Sequence, residues 1–429
     1  MGRIRNILRK TPLRYVWRKT KSIPAVKATA SAVKEKYHDH ILDKTYPELY
    51  NSLIDQPVDE NKILFIEPRL DVISNSFQLI YDTLSNTTDF TIHVHYLRNS
   101  YVSNHQYVKN CKAMIRDLAT AKYVFVNDAS PVIGCLQVRP ETVITQLWHA
   151  CGAFKKFGMS TAEKIFGLNA EQQHRHPNYR NLTYVTLSSP EIAWAYEEAM
   201  DLQDHPEIFK AVGTSRTDVF FDETFRARAF DHLYEQFPAA RGKKIILFAP
   251  TFRGRAKKPH TCKCFDYQAF FDALGEEYVV VAKHHPWVRH LPEIPEELNG
   301  SFAIDLTRTM SIEDLICVSD ICISDYSSLI FEYSLFERPM LFFAYDLEEY
   351  FDWRGFYYPY EELTPGPICR TNEEMIDYIL HIDERFDKKV VADFRDKFMS
   401  ACDGHATERI LELTMGKEQL EKHRKTSSQ

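Results

Sequence analysis

The chain has 429 residues, 44% hydrophobic and 26% charged, with a formal net charge of −7, a composition of folded α/β enzymes rather than of fibrous or low-complexity chains. Its length exceeds what one hydrophobic core organises, so two domains are expected. No apolar run approaches the roughly 20 residues of a membrane-spanning helix, and the N-terminus lacks the apolar stretch of a signal peptide. Nine cysteines, scattered from Cys111 to Cys402 without framework spacing, fit free thiols in a reducing compartment.

Charge is distributed unevenly along the chain. Residues 1–36 carry 11 Lys or Arg against the single acid Glu35, whereas the remainder holds 42 basic and 59 acidic residues, a balance of −17. Ile4, Ile7, Leu8, Leu13, Val16 and Trp17 alternate with Arg3, Arg5, Arg9, Lys10, Arg14, Arg18 and Lys19, a mixture suited to lying on an anionic leaflet. Each basic residue there contributes about 1 kcal/mol. A solvated basic tail and a nucleic-acid arm are the other readings. The bulky apolar residues and the acidic remainder of the chain weigh against nucleic acid.

Beyond this segment, short β-rich runs at 62–66, 91–97, 122–126, 142–147, 183–187 and 208–212 alternate with helical stretches such as 105–120 and 189–200. A helix-like stretch at 223–237 leads into a second series at 244–248, 278–282, 302–305, 320–323 and 340–343. Alternating strands and helices predict two parallel sheets covered on both faces, meeting near Asp222. Helices at 390–400 and 405–415 are expected to pack back across the domains. The organisation read from the sequence is a basic amphipathic membrane-associating segment (1–58), two domains (59–222 and 223–415) and a polar tail (416–429).

Two facing doubly wound sheets bring the carboxyl ends of their strands to one cleft, where ligands bind in such folds. Polar residues fall at several strand ends: His149 after 142–147, Thr251 and Arg253 after 244–248, His285 after 278–282, and Ser327 after 320–323. Ser324-Asp325-Tyr326-Ser327-Ser328 precedes an amphipathic helix expected over 329–336. Its hydroxyls suit either capping or a seat for a phosphate at the helix start. His260-x-Cys262-x-Cys264 lacks the second ligand pair of a structural zinc site, so no metal is expected.

Ser-Asp-Tyr-Ser-Ser (324–328), Glu-Arg-Pro-Met-Leu-Phe-Phe (337–343) and Tyr-Asp-Leu-Glu-Glu-Tyr (345–350) together resemble the C-terminal signature of the CDP-glycerol glycerophosphotransferase family. Trp148-His149 with Lys155-Lys156-x-Gly158, Ala249-Pro250-Thr251-Phe252-Arg253, Lys283-x-His285-Pro286 and Asp403-Gly404-x-Ala406-Thr407-x-Arg409 occur in the family's order, covering about 60–415. The resemblance implies a GT-B-like arrangement of an N-terminal acceptor domain and a C-terminal donor domain. It also implies transfer of glycerol phosphate from CDP-glycerol to a lipid-linked (undecaprenyl) acceptor in teichoic acid or capsule synthesis, with release of CMP and no cofactor.

Carried over by motif, His149 is the general base, and His285 and Arg253 face the diphosphate, with a protonated His285 steadying the departing CMP. Thr251, Lys283, Asp325, Ser327, Ser328 and Glu332 complete a donor-binding set in which Lys283 is open to a structural role. Glu332 and Asp346 are candidates for ribose or polyol hydroxyls, or for solvated helix faces. Lys155, His176, Ser188 and Arg216 are acceptor-side candidates, and Arg216 with Asp218 is also read as an interdomain ion pair. The chain reads Trp-His-Ala-Cys-Gly-Ala-Phe-Lys (148–155) where the family commonly has Trp-His-Gly-x-Pro-Leu-Lys. The turn, and with it acceptor or polyol specificity, is expected to differ.

The expected location is peripheral, on the cytoplasmic face of the membrane, with no nucleic-acid partner and the oligomeric state open. A CDP-ribitol donor, a glycosyltransferase using a nucleotide sugar, and a catalytically idle assembly scaffold are the competing readings. Deleting residues 1–36 is expected to release the protein from anionic vesicles in a low-salt flotation assay. Binding that survives the deletion removes this segment as the anchor.

Overall fold

The computed structural model describes residues 34–425 except 163, 165–168 and 255–258. The basic segment therefore lies, up to residue 33, outside the described residues. The stretch after residue 33 was expected to belong to the membrane segment 1–58 but is built into the first domain. A helical run from residue 34 continues through a π-turn at Ile41–Thr45 into the helix Tyr46–Asn51. Ile41, Leu42, Tyr46 and Tyr50 are buried in a cluster with Leu64, Met114 and Ile115, so this apolar face packs into the protein's own core.

The first sheet consists of β1 (Asp59–Glu67), β2 (Thr91–Tyr96), β3 (Ala121–Val126), β4 (Val143–Gln146), β5 (Tyr184–Thr186) and β6 (Phe209–Lys210) in the order β2-β1-β3-β4-β5-β6. All its pairings are parallel. A parallel sheet is covered on both faces, and the alternation of side chains along β1 assigns them. Leu64 and Ile66 pack with Met114, Ile115 and Leu118, while Ile63 and Phe65 pack with Phe77, Ile80 and Leu84.

The second sheet holds β7 (Lys244–Phe248), β8 (Tyr278–Ala282), β9 (Ala303–Asp305), β10 (Ile321–Ser324), β11 (Met340–Phe343) and β12 (Ile368–Cys369), ordered β12-β11-β10-β7-β8-β9 and again parallel. Strand order reverses between β7 and β10, and the loops leaving these two strands carry Thr251, Arg253, Asp325 and Ser327. β12 was not expected, since its two residues directly follow Thr-Pro-Gly-Pro (364–367), which reads as a turn.

The last helices return to the first domain. Ala406, Ile410, Leu411 and Met415 of Ala406–Met415 fill the face of the first sheet that holds Ile63 and Phe65. Asp218 starts this helix, accepting from the amides of Ala406 at 3.1 Å and Thr407 at 2.7 Å. The expected pairing of Asp218 with Arg216 is thus replaced by a cap, which satisfies two otherwise orphaned N–H groups. Gly213, at φ +91°, passes so close to this segment that a Cβ would lie 2.2 Å from the Ala401 carbonyl oxygen. The stretch 416–429, read as a polar tail, contains the helix Lys417–Lys422, after which His423 stacks on Phe90 at 4.1 Å and bonds Asp89 at 2.7 Å.

Ile410→Ala removes buried methylenes from the first domain's core and is expected to cost about 3 kcal/mol, read as a lower denaturation midpoint with unchanged m-value. An exposed helix would show almost no shift.

Candidate functional site

His149 emerges from a turn that two devices re-aim. Trp148 sits at φ +58°, a conformation that costs a non-glycine residue energy and persists only when its surroundings impose it. Its amide is taken by Gln146 Oε1 at 3.0 Å, and its ring packs on Phe157 and Tyr196. Gly152, at φ +62°, lies so close to the Phe331 ring that a Cβ would come within 2.3 Å of it. The His149 turn is therefore pressed directly onto the second domain's helix Leu329–Ser334.

His149 Nδ1 lies 3.0 Å from the Asn127 carbonyl. A carbonyl only accepts, so Nδ1 carries a hydrogen and, in the neutral ring, Nε2 carries the lone pair. His285 has the opposite tautomer, because its Nδ1 accepts from the Trp287 amide at 3.2 Å and the ring hydrogen then sits on Nε2. By motif, His285 was expected to act in its protonated form. In the neutral ring the accepted backbone bond leaves an Nε2–H donor, and the ring lies tilted against Phe252 with centres 4.7 Å apart.

Arg253 was expected to grip phosphate oxygens, but its fork is occupied. Nε and Nη2 donate to Asp346 at 2.6 and 2.8 Å, and Nη1 donates to Asp325 at 2.9 Å and to the Thr251 carbonyl at 2.7 Å. The guanidinium also lies 4.9 Å from the ring centres of Tyr326 and Tyr350. Burial works against its charge, yet Asp325 and Asp346 raise its pKa above the usual value.

Asp325, at 2% exposure, is not open to a ligand. It also accepts from the amides of Thr251 at 2.8 Å and Tyr326 at 2.6 Å. Asp346, a candidate for sugar hydroxyls, further accepts from the Tyr326 hydroxyl at 3.0 Å. These groups shape a rigid floor at the strand ends of the second sheet. Thr251 Oγ1 is buried there without a protein partner.

Ser327 and Ser328 stand at the lip of this floor. The helix after them runs only Leu329–Ser334, shorter than the expected 329–336, and Ser328 makes no capping bond through its side chain. Ser327 Oγ accepts weakly from the Leu329 amide at 3.4 Å. A phosphate seat here rests on hydroxyls and turn amides rather than on a long helix dipole. Lys283 is turned to protein carbonyls, donating to Thr307 at 3.0 Å and to Met310. Burial lowers its pKa, and its role is to pin the loop after β9.

The acceptor-side candidates divide. Lys155 forms an antiparallel bridge with Phe356 and its Nζ lies 5.3 Å from the Tyr350 ring, placing it at the junction of the halves. His176 is buried within 3.4 and 3.6 Å of Asp39 and Asp43, turned to the N-terminal helical segment. Ser188 is buried, donating to the Phe398 carbonyl at 2.8 Å and accepting from the Gly152 amide at 3.1 Å, so it braces the His149 turn. Arg216 and Glu332, read on opposite substrates, instead meet each other at 2.8 Å on the domain interface. A cavity of about 610 Å³ opens beside them, lined by Asn75, Gln78, Arg216, His232 and Glu313 among others.

Asn127 and Glu313 were not singled out from sequence. Asn127 follows β3 directly, and a polar residue at a strand's carboxyl end was the available signal. Glu313 lies in a helix's first turn, where acids are ordinary.

Residues 48–416 match the family described as CDP-Glycerol:Poly(glycerophosphate) glycerophosphotransferase. The chain is 35% identical over 359 residues to a teichoic acid poly(ribitol-phosphate) polymerase of Bacillus spizizenii, covering 83% of this chain and 56% of that one. It is 32% identical over 361 residues to a teichoic acid ribitol-phosphate primase of the same species, covering 83% and 91%. It thus spans little more than half of the first relative's length. Among solved structures, a variant of the wall teichoic acid polymerase TagF superposes with a TM-score of 0.72 at 21% identity, covering 92% of this chain and 98% of that one. This likeness speaks for the fold, a GT-B-like pair of facing sheets.

Asp325→Ala strips one partner from a buried guanidinium and two amides and is expected to destabilise the second domain by about 3 kcal/mol, seen as a lower melting temperature. An unchanged melting temperature would show that Asp346 alone suffices.

Proposed function

Because this chain belongs to the CDP-glycerol:poly(glycerophosphate) glycerophosphotransferase family, we propose that it transfers a polyol phosphate from a CDP-polyol to a hydroxyl of a lipid-linked acceptor, releasing CMP in the synthesis of a teichoic acid or related polymer. The acceptor oxygen bonds to the phosphorus that bears the polyol as its bond to the bridging oxygen breaks, and CMP leaves with that electron pair. The hydroxyl proton passes to Nε2 of His149. The observation that carries this reading is the pair of opposed tautomers: a lone pair held on His149 by the Asn127 carbonyl and a hydrogen held on His285 by the Trp287 amide. One is fitted to take a proton, the other to donate to a phosphate oxygen. Ser327 and Ser328 add hydroxyl donors, and Arg253 keeps the floor rigid.

The donor polyol is the finer question. The family description names glycerophosphate, and glycerol is the first expectation from sequence. Both curated relatives above carry ribitol phosphate in their names, and the altered turn at 149–155 lies beside the base. We therefore place CDP-ribitol level with CDP-glycerol. Among the described residues no helix is long and apolar enough to cross a membrane. Access to a lipid-linked acceptor then falls to surface attachment, in keeping with a basic N-terminal segment.

Purified protein is assayed for nucleotide release with CDP-glycerol, CDP-ribitol and UDP-glucose, each with and without a primed lipid-linked acceptor. CMP appearing only with acceptor and one CDP-polyol is the expected result. UDP release would replace this reading with a glycosyltransferase, and no turnover with an acceptor proven on a known enzyme would favour a scaffold. His149→Ala is expected to lower kcat by about 10²- to 10⁴-fold with donor affinity retained. Near-normal turnover would remove His149 as the base.

A further inference from the structure

Arg216 lies in the segment Ser215–Phe221 that leaves the first sheet and crosses to the second domain. Its Nη2 is 2.8 Å from Glu332 and 3.6 Å from Glu313, and its Nη1 donates to the main-chain carbonyl of His149 at 2.9 Å. Glu332 belongs to the helix Leu329–Ser334 that begins at Ser327 and Ser328. Glu313 also accepts from Asn75 of the first domain at 2.8 Å. The side chains of Arg216, Glu332 and Glu313 are 15%, 2% and 7% exposed.

Burying such a trio is costly, and well-packed apolar residues often serve stability equally well. The trio is also incompletely satisfied. One cation faces two carboxylates, and among the described residues Glu332 Oε2, Glu313 Oε2 and Arg216 Nε are buried without hydrogen-bond partners. Burial raises the Glu332 pKa, an effect that Arg216 opposes. A cluster optimised for stability would not leave three polar atoms unpaired. Its geometry does something else: one guanidinium joins the backbone of His149 to the helix carrying the serine pair.

We propose that Arg216 is a positioning residue, which holds His149 in register with the donor half through Glu332 and Glu313 and so makes the base competent only when the two domains are docked. The proposal rests on the assignment of His149 as the base. It requires a fork, because one arm must reach a carbonyl while another meets a carboxylate. A lysine ammonium keeps the charge at a single point.

The test uses full-length Arg216→Lys and Arg216→Met. Four readouts are taken: melting temperature, kcat and KM for the CDP-polyol, CDP affinity by calorimetry, and amide exchange at residues 148–152. For Arg216→Lys the expected result is a folded protein whose CDP affinity and KM stay within about threefold. Its kcat falls roughly 10- to 100-fold, the loss that a small misplacement of a reacting group produces, and exchange quickens at 148–152. A fall in melting temperature with kcat and local exchange unchanged would make Arg216 an ordinary strut and overturn the proposal, as would loss of CDP affinity with kcat intact. Should Arg216→Met fail to fold, the lysine variant still decides. Should the wild-type protein release no CMP, the functional reading fails. The exchange arm then judges the positioning claim alone: faster exchange confined to 148–152 supports it, and its absence overturns it.

Discussion

One guanidinium shared by two carboxylates organises the strand-end loops of the second domain. Arg253 leaves β7, Asp325 leaves β10 and Asp346 leaves β11, so their bonds tie three strand-end loops into one rigid floor. Tyr326 and Tyr350 close over the guanidinium and shield it from water. In a medium of lower polarity each of these interactions is stronger than on an open surface, and each missing partner is more damaging. The loops are thereby fixed in one arrangement without help from a ligand, as the proposed positional role requires.

The turn in the first domain is held differently, by close contact together with the Arg216 bond to the His149 carbonyl. The left-handed Trp148, the glycine at 152 and the bond from Ser188 set the His149 turn against Phe331. Strain on one side of the cleft and ion pairing on the other are complementary solutions.

Much of the fold was legible because buried parallel strands are continuous apolar runs with clear ends. Lys244–Phe248, Tyr278–Ala282 and Met340–Phe343 were read to the residue. β12 was missed because it directly follows the turn-like Thr-Pro-Gly-Pro at 364–367. The helical segment at 41–51 was misassigned because an amphipathic face looks the same whether it meets a bilayer or a core. At the site, the resemblance of motifs that fall at strand ends singled out His149, Arg253, His285 and Ser327. Pairing was beyond reach. Spacing cannot show that the Arg253 fork is already filled, that Asp218 devotes its carboxylate to a helix start, or that Arg216 and Glu332 meet from different domains. Nor does sequence reveal a tautomer, which depends on a carbonyl 22 residues away in the case of His149.

Lys155 and Phe356 lie on two short segments, one from each domain, which also exchange the bonds Lys156 N–H to Gly355 O and Tyr357 N–H to Phe154 O, both 3.1 Å. This seam is made of main chain. Peptide groups bond one another whatever side chains they carry, so many substitutions along either segment leave these bonds available. Gly355, at φ +72°, and the buried Phe154 and Phe356 set the limits of that freedom. The joint between the two domains therefore tolerates a change of surface chemistry more readily than a change of backbone.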